Sequence, residues 1–186
     1  GVAKAAVRDD FAQQIDMAAI SLAAAGIAIP ASMQGRDLLA KDYQPREFAF
    51  GARDRCDETI ERLRSVRSDR YLYIRNFYPE RPHLQPNAYK DGKQIVQTLR
   101  ELNDRGVLSL IPKKMLFSPA RPTEELYEFA SDQYQIINLA DNPAYKTELE
   151  RHRTELDRLL HAHVMHFGIR VAADLGVDDV LDACEF

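Results

Sequence analysis

Five of the six residues from Arg53 to Glu58 carry a formal charge: Arg53, Asp54, Arg55, Asp57 and Glu58, closely following Gly51 at the end of a short apolar run. Guanidinium groups present a planar fork that suits carboxylates and other oxyanions, and carboxylates accept hydrogen bonds from hydroxyls or amines. The pattern therefore predicts a loop able to hold a polar ligand that bears both anionic and hydroxyl groups. The competing reading is a solvated loop whose Arg and Asp residues pair with one another, because charge runs usually face water.

Other clusters are less complete. Arg62, Arg64, Arg67, Arg70 and Arg75 alternate with Tyr71 and Tyr73 nearby, as a basic and aromatic nucleic-acid surface would. Asp54, Asp57, Glu58, Glu61, Asp69 and Glu80 nearly cancel those charges, so no nucleic-acid partner is expected. His161, His163 and His166 form HAHVMH, and His163 and His166 share a helix face, but no Cys or Glu beside them completes a metal set. Polar histidines near a helix C-terminus are the simpler account, and no metal ligand is assigned. Arg36 and Asp37 in MQGRDLL read as structural residues holding two lobes together.

The bulk composition adds exclusions. A formal charge of −4 and a pI near 5.8 give no overall attraction to nucleic acid or anionic membranes. Met17 to Ile29 is the longest apolar stretch and falls well short of the ~20 residues that cross a bilayer, so no membrane partner is expected. Cys56 and Cys184 have neither zinc-knuckle nor CxxC spacing. Gly1 in place of an initiator Met, and a first strand without neighbours, predict that upstream sequence is missing.

The elements that must position these residues follow from periodicity. Phe11 to Ile15 reads as a short strand, followed by a helix capped by Asp16, running through Ala25 and ending at Gly26. Residues 30–45 form a connector. Glu47 to Ala52 reads as a strand that ends in the charged loop. Glu61 to Arg67 and Tyr71 to Phe77 form a hairpin about Ser68, Asp69 and Arg70, with Leu72 and Ile74 as the expected core anchors. Pro79, Pro82 and Pro86 mark irregular chain. Lys93 to Asn103 is a helix with Ile95, Leu99 and Leu102 on one stripe, stopped by Gly106. Ser118 to Pro122 is a loop and Leu126 to Phe129 a strand. Asn142 and Pro143 open a long helix with Tyr145, Leu149, Leu156, Leu159, Leu160 and Val164 on its apolar face. No assignment follows for the tail 169–186.

The order of segments QIDMAAISLAAAGIAIP, MQGRDLL, FGARDRCDETIERLRSVRSDRYLYIRNF and EELYEFASDQYQIINLADNPAY resembles the C-terminal part of type I sulfatases, over about Phe11 to Leu160. The likeness is to bacterial members near the N-sulfoglucosamine and heparan-type sulfatases. It implies an α/β fold in which residues 1–45 are the last strand, helix and connector of a large alkaline-phosphatase-like domain. Residues 46–168 would form a small α+β domain, an antiparallel sheet packed with a long C-terminal helix, and 169–186 a tail.

The resemblance also implies a parent enzyme that uses a formylglycine, made within a CxPxR-like motif, beside calcium, and that is exported to the periplasm or secreted. Neither Cys56 nor Cys184 stands in that motif, and Ser118 in SPARP has Pro119 and Arg121 each one position early. No catalytic residue is therefore assigned within these residues. The chain is expected to contribute substrate specificity through Arg53, Asp54, Arg55, Asp57 and Glu58, with a sulfated carbohydrate and the upstream sulfatase domain as partners. The alternative is a non-catalytic module that binds anionic glycans.

Overall fold

The computed structural model describes residues 7–175, with side chains as far as His161. The chain divides into two compact units. One holds residues up to Ala49 together with Arg67–Asp69, and the other Phe50–Val66 with the chain from Arg70 onward.

In the first unit, helix α1 spans Asp16–Ala24 and stops where Gly26 takes φ +70°, a conformation that favours glycine. The strand expected at Phe11–Ile15 is absent: residues 11–13 are irregular and the next two form a turn. The reason lies in Asp16, which does not cap the helix but is fully buried. It accepts hydrogen bonds from the backbone N–H groups of Gln13 (2.8 Å) and Arg36 (2.9 Å), which folds residues 13–16 into a turn. Arg46 closes the arrangement with two bonds to the same carboxylate, at 2.7 and 2.5 Å. Arg36 thus contributes its backbone to a tie inside this unit, while the Asp37 side chain accepts from Leu39 N–H in a local turn.

The second unit is built on a four-stranded antiparallel sheet in the order β1 (Ala49–Cys56), β2 (Thr59–Arg67), β3 (Tyr71–Asn76) and β4 (Glu124–Glu128). A meander of this kind needs only short turns between strands 1, 2 and 3. The β3–β4 register sets Tyr73 opposite Leu126, Arg75 opposite Glu124 and Ile74 opposite Glu125.

One face of the sheet carries the long helix. Asn142 caps a 3₁₀ turn, Pro143–Tyr145, by accepting from Ala144 N–H, and α5 follows from Lys146 to Leu175. Leu149 and Leu156 are buried with Val66, Tyr73 and Leu126, and Tyr71 packs edge-on against the buried ring of His152 at 6.0 Å. Charges frame this core: Arg153 clamps Glu124 through Nε (2.7 Å) and a second Nη2 bond, and Arg75 reaches Asp157 at 2.6 Å. The face assignment of β3 is therefore the reverse of the one expected. Tyr71 and Tyr73 lie in the core beneath α5, whereas Leu72 and Ile74 are only half-buried on the other face.

Short helices complete the unit: α2 (Ala88–Asp91), α3 (Gln94–Asp104) and α4 (Leu110–Phe117). The stop at Gly106 is as expected, with φ +70°. Ile95, however, is 70% exposed and does not join a buried stripe.

Candidate functional site

The charged run after Gly51 is not a loop. β1 continues through Arg53, Asp54 and Arg55 to Cys56, beyond the strand end expected at Ala52, and the hairpin turns at Asp57 and Glu58. Pairing with β2 overrides the weak intrinsic strand preference of charged residues. Asp57 takes φ +52°, the left-handed conformation that Asp tolerates better than most residues.

Being in a strand separates the five residues. A Cβ on Gly51 would lie 2.6 Å from Ser65 Oγ, so Gly51 and Ser65 share a face, and alternation adds Arg53, Arg55, Glu61 and Leu63 to it. Asp54 points to the opposite face, where it pairs with Arg64 at 2.7 Å. Arg55 Nε donates to the Asp57 carbonyl at 2.5 Å and so stiffens the turn. Glu58 accepts from Ala88 N–H and from Asn87 Nδ2 (3.3 Å). The Ala88 N–H in particular holds the Glu58 carboxyl below the usual carboxylate range. Arg53 is exposed, and its guanidinium makes no hydrogen bond or ion pair among the described residues. Asp54 and Glu58 are thus engaged by residues outside the run rather than by its own arginines, and Arg53 by neither.

The face that carries Arg53 is backed by buried polar groups. Arg62 stacks on Phe77 (4.6 Å), which puts those two on the α5 side and brings Leu63 together with Asn76 on the Arg53 side. Asn76 Nδ2 donates to Glu125 Oε1 at 2.5 Å, and Tyr127 OH donates to Glu125 Oε2 at 2.5 Å. Arg121 and Glu61, each less than 4% exposed at the side chain, form an ion pair at 2.8 Å. Arg121 also donates to the carbonyls of Arg81 (2.9 Å) and Tyr78 (3.1 Å), and its N–H to Pro79 O (2.7 Å). One arginine thereby holds residues 78–81, the start of the proline-marked segment.

His83 lies in that segment, and nothing in the spacing of the sequence singled it out beyond its place between Pro82 and Pro86. It is exposed, yet protein flanks it closely enough that burial lowers its pKa below the ordinary imidazole range. Arg121 and Arg53 depress it further, while Glu125 and Glu61 pull the other way. Gln85 Nε2 reaches Glu61 at 3.4 Å, which sets the segment that bears His83 against the sheet face that carries Arg53.

The groups that the resemblance implies for the larger protein do not fit these residues. Cys56 ends a strand, is followed by a turn residue and lies outside any CxPxR pattern. Among the described residues no three His, Cys, Asp or Glu side chains are grouped as metal ligands. His163, His166 and Cys184 lie outside the described side chains, as does the tail beyond Leu175 for its backbone. Among the described residues, no helix is long and apolar enough to cross a membrane.

No family model matches the chain. Two ulvan-active sulfatases of Formosa agariphila do: one is 34% identical over 149 residues, covering 80% of this chain and 25% of the relative. The other is 28% identical over 134 residues, covering 68% and 24%. A 2-O GAG sulfatase structure superposes with a TM-score of 0.51 at 21% identity, over 79% of this chain and 24% of that one. A Bacteroides thetaiotaomicron protein assigned to the sulfatases gives the same values. The structural neighbours share the alkaline-phosphatase-like fold of that family. The chain spans about a quarter of the length of each relative it matches, and over that length it is similar to a part of the sulfatases.

Proposed function

We propose that this chain is the specificity-bearing C-terminal part of a sulfuric ester hydrolase that acts on a sulfated sugar. The observation that carries this reading is Arg53: an exposed guanidinium with no partner among the described residues, held on a rigid strand by pairing with β2 and by the turn that Arg55 stiffens. A planar fork of that kind suits a sulfate or a uronic carboxylate, and a strand holds it more accurately than a mobile loop would. The relatives named as acting on ulvan and on glycosaminoglycan support the substrate class. Nucleophile, leaving-group acid and cation would come from the preceding sulfatase domain, with formylglycine and calcium there, and the whole enzyme would work in the periplasm or outside the cell.

The test is sulfate release from sulfated ulvan and glycosaminoglycan oligosaccharides by the full-length protein that contains this chain, coexpressed with a formylglycine-generating system. Wild-type release, with Arg53→Ala lowering kcat/KM by about ten- to a hundredfold at unchanged Tm, is the expected result. No wild-type release, with retained binding to the same sugars, would favour a non-catalytic glycan-binding module. Unchanged kinetics in Arg53→Ala would remove this strand from the site.

A further inference from the structure

Resting on that reading, we infer that His83 is a second sugar-reading residue, its imidazole hydrogen-bonding a hydroxyl that neighbours the anionic group held by Arg53. The two residues come from elements 30 positions apart in sequence, β1 and the segment after β3, and each is exposed. Three features hold the backbone around His83. Arg121 binds the carbonyls of Tyr78, Pro79 and Arg81 just before it, Leu84 N–H donates to Leu116 O (3.3 Å) just after it, and Gln85 Nε2 reaches Glu61 at 3.4 Å. Pro82 and Pro86 further restrict the chain on either side. The backbone that carries this exposed side chain is thereby preorganised, which reduces the ordering cost of binding.

The protonation state then selects the chemistry. Burial and the nearby guanidinium groups of Arg121 and Arg53 keep His83 neutral near pH 7. A neutral imidazole donates at one nitrogen and accepts at the other, and a hydroxyl can use both whereas a bare sulfate can use only the donor. Arg53, always charged, takes the anion. The pair would read two adjacent substituents of one sugar ring, an oxyanion and a hydroxyl, and so discriminate between sulfation patterns.

The experiment uses the full-length protein and sulfated ulvan oligosaccharides, comparing wild type, Arg53→Ala, His83→Ala and His83→Gln by sulfate release and by Tm. His83→Ala is expected to raise KM about tenfold with little change in kcat, as loss of one uniform binding interaction does. His83→Gln, whose amide also donates and accepts, should recover most of that loss. In wild type KM should rise as the pH falls and the imidazole protonates, and this rise should be missing in His83→Gln. A His83→Ala enzyme with wild-type KM beside an impaired Arg53→Ala enzyme would overturn the role of His83 and leave the proposed function standing. Wild-type KM in both variants would overturn the inference and remove both residues from the site, whereas absence of sulfate release by the wild type would overturn the proposed function itself. Equal loss in His83→Ala and His83→Gln, with an equal fall in Tm, would make His83 structural and overturn the inference.

Discussion

At the scale of single residues, the site depends on a charge that never reaches the solvent. Arg121 neutralises Glu61 and at the same time accounts for three backbone contacts of the segment that bears His83. Removing one member of a buried ion pair leaves the other desolvated and uncompensated, typically at a cost of about 3–5 kcal/mol. Arg121→Met is therefore expected to lower Tm sharply, by roughly 8 °C or more for a domain of this size. Combining it with Glu61→Leu should restore part of the loss, because no bare carboxylate then remains. The restoration should be incomplete, since the carbonyls of Tyr78 and Arg81 still lack their donor. Thermal unfolding of the two single variants and the double variant measures this coupling directly. Additive losses would show that the pair is not a unit.

At the scale of elements, much of the architecture is legible in the sequence. Alternation located β2 and β3, Gly26 and Gly106 marked the helix ends, and Asn142-Pro143 marked the start of the long helix. What alternation lacks is the identity of the face that a helix will cover. Tyr71 and Tyr73 went under α5 because their hydroxyls find partners at its rim: Tyr73 OH bonds Glu124 and Tyr71 OH reaches Glu128 at 3.5 Å. The charged half of β1 was hidden for a different reason, since its strand character comes from pairing with β2 rather than from its own residues. No element was expected between Gly106 and Ser118, yet α4 forms there with Pro112 as the third residue of its first turn, where an N–H has no intrahelical partner to lose. The candidate site was legible only in part: Arg53 could be named from its run of charges, whereas His83 needed the fold to bring it alongside.

A glycine in the first unit makes the same point about elements. A Cβ on Gly35 would lie 2.2 Å from the carbonyl oxygen of Ile15, a backbone atom that cannot rotate away. The approach is that close because the next residue, Arg36, donates its N–H to buried Asp16. Gly35→Ala is expected to cost about 2 kcal/mol or more by pushing that hydrogen bond apart, in the range typical of overpacked sites. Amide hydrogen exchange checks it, with faster exchange at Arg36 N–H in the variant. An Arg36 amide as protected as in wild type, at unchanged Tm, would show that the turn absorbs the methyl group elsewhere.

At the scale of the whole molecule, the same carboxylates set the response to acid. Arg153 holds Glu124 below the usual carboxylate range, outweighing the opposite effect of burial, with Tyr73 adding to the depression. Arg70 and Ser131 do the same for Glu128, and Arg100 with the Asn87 N–H for Asp91. For Asp16, burial pushes the pKa up, but Arg46 and the N–H groups of Gln13 and Arg36 together outweigh it. A carboxyl with a depressed pKa in the folded chain contributes stability that is fully present above its unfolded value, about 4 for Asp and Glu, and is lost as the pH falls through the folded value. His83 acts in the same direction at higher pH. Its lowered pKa means that the unfolded chain binds the proton first, so stability begins to fall below about pH 6.5. Tm should therefore decline in two stages, gently from pH 7 to 5 and steeply below 4. Glu124→Gln separates the contributions: it should lower Tm at pH 7 by removing the charge that Arg153 and Arg75 face, yet flatten the steep acid branch. His83→Gln should flatten the upper branch alone. A Tm profile in which Glu124→Gln runs parallel to wild type from pH 7 to 3 would place the acid sensitivity elsewhere than in the clamp between β4 and α5.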